Sequence, residues 1–261
     1  MEPGNPEATV ELLTGQVDLL RVLRDGPKAK GTLVEVLPVS RSTVDRAVRE
    51  LEGAGLIERD GGTAGLTVSG RLLLEEYEEF RAGVAGLQRA ATTIEPVPPN
   101  TDIGLEVFRG ATIVGAEPHA PYEPVQALKR FLRGAERIYG VASAVLPDYV
   151  DLYSRQIIEE GTEVELVVSA PVLETLVGEY SGPLEDSLET GRLTIYEVEA
   201  DPPFSTILAF HDEPEVGLVV YGDSGTTGFV RNDSPEAVEW AEGWIESWVQ
   251  RGVPIDGAAD A

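Results

Sequence analysis

The stretch VSRSTVDRAVRELEGAGLIERDGG, residues 39–62, holds Arg41, Arg46, Arg49 and Arg59 in a 261-residue chain whose formal net charge is −26. Guanidinium groups bridge phosphate oxygens or a guanine edge through two parallel hydrogen bonds, and the hydroxyls of Ser42 and Thr43 can reach a base or a phosphate. That chemistry is available only if these side chains point outward. Ser40 is a good N-cap, and Val44, Val48 and Leu51 follow at helical spacing, so a helix from Arg41 to about Glu52 buries one face. Arg41, Ser42, Asp45, Arg46 and Arg49 then fall on the open side, with Thr43 near its edge.

The flanking segments fit this helix to a purpose. Gly53 and Gly55 stop it, and LIERDGGTAGLTV reads as two short strands around a Gly-rich turn. Upstream, AKGTLVEVLPV predicts a short helix with Leu33, Val36 and Leu37 inward, ending at Pro38, and ELLTGQVDLLRVL predicts a longer one. A helix-turn-helix reader of duplex DNA needs this order, because the second helix enters the major groove while the first crosses the backbone. Charge agrees: residues 20–60 hold eight basic and seven acidic side chains, a balance of +1 that leaves −27 elsewhere. Any solvated helix can also show the i, i+4 pairs Asp45–Arg49 and Arg46–Glu50, so the arginines alone do not decide the matter. The run SRSTVDRAVRELEGAGLI, followed by GLTVSGRLLLEEY, resembles the winged-helix transcription regulators of archaea and bacteria over about residues 10–90. The resemblance implies double-stranded DNA as partner, with Arg41, Ser42, Thr43, Arg46 and Arg49 in the groove, Arg59 on the wing, and Lys28 and Lys30 at the backbone.

Beyond the wing, Leu73, Tyr77, Phe80, Val84, Leu87, Ala91 and Ile94 are spaced 4, 3, 4, 3, 4, 3, the pattern of a helix that pairs with another. A homodimer through residues 70–92 would present two reading heads to half-sites about one DNA turn apart. Packing of the same face on the first helix is the alternative, and Gly83 and Gly86 weaken the helix by about 1 kcal/mol each relative to Ala. The sequence thus sets a winged helix-turn-helix domain at 8–92. Pro96, Pro98 and Pro99 then mark an extended linker before a second domain at 103–254.

Asp and Glu number 46 against 20 basic residues, of which only Lys28, Lys30 and Lys129 are lysine, a balance that resembles haloarchaeal proteins working in concentrated salt. The absence of cysteine excludes disulfides, thiolate nucleophiles and cysteine-held metals. No membrane-spanning run and no signal segment are evident, so a cytoplasmic protein is expected.

In the second half, strand-like runs IGLEVF, RIYGVAS, VELVVS, LTIYEV, STILAF and GLVVYG alternate in part with helical stretches, which predicts a layered α/β domain with a mainly parallel sheet. Catalytic chemistry finds little there. His119 and His211 stand apart, with no zinc-binding spacing, and Ser143 lacks a nucleophile elbow. No catalytic residue, metal or cofactor is assigned, and a phosphodiesterase using His119 or His211 is the weaker alternative. YGDSGTTGFVRND is either a β-hairpin or a polar cradle, and Ser143, Asp223, Ser224, Thr226 and Thr227 are the candidate contacts for a small ligand. Trp240, Trp244 and Trp248 recur every four residues and predict a helix sealed onto a sheet or partner. VFRGATIVGAEPHAPYEPVQAL, GVASAVLPDYVDLYSRQIIEEGTEVELVVS and GLVVYGDSGTTGFVRNDSPEAVEWAEGWI resemble the effector domains of archaeal regulators of the methanogenesis-regulator type, distantly like the phospholipase-D fold. That fold's His-x-Lys pair is missing. The resemblance implies a domain that senses a small molecule, meets a protein effector or dimerises, without hydrolysis; a DNA-tethered interaction module with no small ligand is the other reading.

Overall fold

A computed structural model describes residues 5–223 and 225–255. They form two compact units divided between Arg81 and Ala82.

The first unit runs α1 (Pro6–Arg24), β1 (Lys28–Ala29), α2 (Lys30–Val36), α3 (Arg41–Gly53), β2 (Ile57–Asp60), β3 (Thr63–Leu66) and the start of α4 (Val68–Ile94). Its three strands form an antiparallel sheet in the order β1-β3-β2. Leu20, Leu23, Leu33, Val44, Leu51, Leu56 and Leu74 make one core against which α1, α2, α3 and α4 close. α3 ends in a left-handed cap: Gly55 has φ +72°, and the Leu56 amide donates to the Leu51 carbonyl at 3.0 Å. The wing turns through Gly61 and Gly62, both at positive φ, the geometry that matches a two-residue hairpin to the strand twist. Val36 departs from expectation, because α2 stops there and leaves it 58% exposed. The next residue, Leu37, is extended, and this turns its side chain into the core instead.

The second unit begins with the rest of α4 and continues through a 3₁₀ turn (Leu105–Phe108), β4 (Thr112–Gly115), α5 (Glu123–Leu132), β5 (Arg137–Ala142) and α6 (Pro147–Arg155), which runs into a π turn. It then adds β6 (Glu163–Ser169), α7 (Ala170–Glu179), α8 (Ser181–Glu189), β7 (Leu193–Val198), β8 (Ser205–Phe210), β9 (Pro214–Gly222), β10 (Gly225–Asn232), α9 (Pro235–Val249) and β11 (Val253–Ile255). All eight strands join one sheet, ordered β11-β7-β6-β5-β8-β9-β10-β4. Alternate residues feed two cores. On one face Ile138, Val164, Ile207, Val219 and Phe229 meet α5 and α6; on the other Val141, Val167, Leu208, Leu218 and Val230 meet α9 and the end of α4.

Three expectations are corrected here. The sheet is mixed, not mainly parallel: among the described residues only β5–β6 and β6–β7 run parallel. From Ser205 to Asn232 no helix intervenes among the described residues, and strands joined by short loops can only return antiparallel. IGLEVF is a turn, not a strand. Its carbonyls at Glu106 and Val107, and that of Arg109 just past it, are satisfied by Asn232 Nδ2 at 3.1, 3.0 and 2.8 Å, which lets Val107 and Phe108 be fully buried without a strand neighbour. The proline stretch is not a free linker either. It is turned, not extended: the Val97 amide donates to the Ile94 carbonyl at 2.9 Å and the Thr101 amide to the Pro98 carbonyl at 3.0 Å. Val97 and Ile103 pack onto the second core, and the division between units falls within α4.

Candidate nucleic-acid interface

α3 exists because its inward face is strictly apolar: Val44, Ala47, Val48 and Leu51 are all buried. Its start is fixed by Ser40, whose Oγ accepts from the Thr43 amide at 3.2 Å and lies 2.9 Å from Ser42 Oγ and 2.8 Å from Thr43 Oγ1. These hydroxyls therefore sit beside free amides at a helix N-terminus, where the aligned peptide dipoles favour an anion. Arg41, Ser42, Thr43, Arg46 and Arg49 are exposed.

Their partners differ. Arg46 is held by Glu50 at 3.0 Å, Lys30 by Asp45, and Arg59 by Glu52. The Arg59 hydrogen bond pulls the Glu52 carboxyl below its usual range and raises Arg59 in return. Arg49 spends only its Nε, on the Asp45 carbonyl at 3.2 Å, and Arg41 has no partner among the described residues. Lys30, Arg49 and Arg59 line one cleft of about 400 Å³ between α2, α3 and the wing, together with Asp45. Arg41, Ser42, Thr43 and Arg46 lie outside that cleft, and Lys28 is half-buried on β1.

The heptad divides. Leu73, Phe80 and Val84 are 36%, 58% and 36% exposed along α4. Tyr77 packs on the first unit's core, while Leu87 and Ile94 pack on the second's. Gly83 and Gly86 are contact points: a Cβ on Gly86 would strike the carbonyl of Phe108, and one on Gly83 would come within 2.7 Å of Leu105.

The candidate ligand residues also part company. YGDSGTTGFVRND is the β9–β10 hairpin, with Asp223 exposed at its tip and Ser224 outside the described residues. Thr227 Oγ1 lies 3.0 Å from the carbonyls of Thr93 and Val220, so its hydroxyl is committed within the fold. Ser143 and Thr226 join a network for which their own segments carry no local signal. Ser205 Oγ accepts from the Ser143 amide at 3.0 Å, lies 3.3 Å from Tyr221 Oη, and Tyr149 Oη lies 3.5 Å from Thr226 Oγ1. Tyr149 is spaced four residues from Tyr153 on α6, and that pair of phenols on one helix face is the one local signal of polar groups under this sheet face. His119 is exposed, and His211 Nε2 lies 3.0 Å from the Phe131 carbonyl; neither has a carboxylate partner among the described residues.

Residues 121–251, from the approach to α5 through the end of α9, match the family model described as "Methanogenesis regulatory protein FilR1, middle domain". That span is half of the chain. The protein belongs to the FilR1 middle-domain family. Ahead of the FilR1-type region, residues 8–89 match a second model, the HVO_A0261 N-terminal domain, which covers the winged-helix unit and most of α4. No curated protein matches the chain. Among solved structures it is similar to TrmBL2, described as an archaeal chromatin protein with a novel mode of DNA binding, at 14% identity over 95% of this chain and 99% of that one, TM-score 0.43. Nuc, a phospholipase D family member from Salmonella typhimurium, is 14% identical over 56% of this chain and 98% of its own, TM-score 0.42. NucT from Helicobacter pylori is 10% identical over the same shares, TM-score 0.43. At such identities these likenesses carry nothing about the chemistry of the FilR1-type domain. No helix among the described residues is long and apolar enough to cross a membrane.

Proposed function

We propose that this protein is a transcription regulator that binds duplex DNA through α3 and its wing, as a homodimer paired along α4, and that its second unit is the effector domain. The observation that carries the reading is the exposed Arg41–Arg49 face of a side-chain-capped helix followed by a two-strand wing, in a chain of a regulator family. Arg41 and Arg49 are the foremost base or phosphate contacts, because neither must first leave a carboxylate. Lys30, Arg46 and Arg59 reach DNA only by exchanging Asp45, Glu50 and Glu52 for phosphate. In concentrated salt, counterion release contributes little, so affinity rests on the geometry of a few arginine contacts.

The experiment is genome-wide mapping of bound DNA, in native salt, for wild type, Arg41→Ala/Arg49→Ala and Arg46→Ala, with fluorescence anisotropy on the sites found. The double variant is expected to lose roughly a hundredfold in affinity and Arg46→Ala roughly tenfold or less. Unchanged occupancy in the double variant would sink the assignment of α3.

A further inference from the structure

The second unit holds a half-open cavity of about 90 Å³ between the sheet face carrying Leu166, Ile207 and Val219 and the helices α6, α7 and α8. One water needs about 10–15 Å³, so several would fit, yet the walls are almost wholly aliphatic and would hold water poorly. No Asp, Glu, Lys, Arg or His lines it among the described residues, so an ionised guest would lose its hydration and gain no counter-charge.

What polarity the walls have is phenolic and serine hydroxyl: Tyr149, Tyr153, Tyr221, Ser154, Ser187 and Ser205. Most are already engaged. Ser187 Oγ donates to the Pro183 carbonyl at 2.7 Å, Ser205 and Tyr221 bond each other, and Tyr149 lies within reach of Thr226. Tyr153 is different, because its hydroxyl has no hydrogen-bond partner among the described residues. Burial drives its ionisation well upward, so it keeps its proton at any physiological pH. A phenol that lines a half-open apolar cavity, with a donor unused within the protein, can offer that donor to a guest's oxygen.

We propose that this cavity binds a small, uncharged, mainly apolar molecule carrying one oxygen acceptor, of the alcohol, ketone or ester kind, and that Tyr153 donates to that oxygen. A cavity of about 150 Å³ holds benzene in another protein, so the present space takes about four non-hydrogen atoms, and the open mouth leaves room for the rest of a guest of about five or six. The site is not the loop of Asp223, Thr226 and Thr227, but the interior behind it. As the place where an effector acts, it rests on the regulator reading above; its occupancy does not.

The test uses full-length protein in concentrated KCl, with saturation-transfer NMR of 1-butanol, cyclopentanol and cyclopentane, and butyrate as the charged counterpart. Saturable binding of both alcohols and none of butyrate is expected. Tyr153→Phe keeps the volume and removes the donor, so it should weaken the alcohols about fivefold and leave cyclopentane unchanged. Ser154→Leu fills the space and should abolish all binding, and circular dichroism of each variant reports whether it folds. If Ser154→Leu does not fold, Tyr153→Phe decides. Butyrate binding as well as 1-butanol, no saturable binding of any probe, or alcohol affinity indifferent to Tyr153→Phe would each overturn the proposal. DNA affinity of the same samples is read separately, so a dry cavity leaves the reading of α3 standing, and a protein that ignores DNA leaves the cavity result intact.

Discussion

Arg41 and Arg49 differ from Arg46 and Arg59 in nothing that composition records, yet the first two are open, Arg46 is held by a carboxylate one turn away and Arg59, on the wing, by Glu52 of α3. The tyrosines of α6 and β9 make the same point with opposite sign. Tyr149, Tyr153 and Tyr221 look like three of the chain's eight ordinary tyrosines, but burial raises all three phenol pKa values. In the unfolded chain a tyrosine titrates near pH 10. Below that pH both states keep the proton and stability does not depend on it; above it only the unfolded state releases the proton, so stability falls as pH rises. Urea midpoints measured between pH 9 and 11.5 should therefore drop above about pH 10, by up to about 1.4 kcal/mol per pH unit for each such tyrosine, and Tyr153→Phe should make the drop shallower. A stability flat to pH 11.5 would contradict the burial of these phenols.

At the level of elements, glycines that looked alike in the sequence have opposite roles. Gly86 is buried on α4 against the Phe108 carbonyl, and a methyl there must push backbone. Gly243 is exposed in the interior of α9, with nothing within 4 Å of a Cβ and an ordinary helical backbone. Gly86→Ala should cost about 1–3 kcal/mol, whereas Gly243→Ala should add up to about 1 kcal/mol by helix propensity; thermal melts of the two variants give the comparison. The apolar period identified α4 as a helix, but which of its faces is covered was decided by small residues, Gly83, Gly86, Ala90 and Thr93, that no hydrophobic count weights. For the same reason IGLEVF looked like a strand: its apolar residues are buried, but Asn232, more than 120 residues away, takes up its carbonyls. Trp240, Trp244 and Trp248 were legible, since a four-residue repeat of large rings has one way to be buried: Trp244 stacks on Phe204 and Trp240 with centroids 5.3 and 5.6 Å apart and meets Trp248 edge-on at 5.9 Å.

Across the whole molecule, a net charge of −26 resists compaction in dilute buffer, and the exposed stripe of Leu73, Phe80 and Val84 would be costly to leave in water. Light scattering in concentrated KCl is expected to give the mass of two chains for wild type and of one for Phe80→Glu, with the melting temperature of both falling as salt is diluted; a wild-type monomer would remove the pairing along α4. The sequence by itself determined the α3 face, its cap, the wing and the order of helices, because each follows from local spacing and turn chemistry within a few dozen residues. It also determined the exclusion of cysteine chemistry. Only the tertiary structure decided the mixed sheet, the covering of α4 by residues of the second unit, and the meeting of Ser143 with Ser205 and of Tyr149 with Thr226, with Ser205, Tyr221 and Tyr149 lining one cavity. Those include contacts between residues 62, 77 and 134 positions apart, whose energies are set by mutual burial and hydrogen bonding and leave no periodic trace in either partner's own segment.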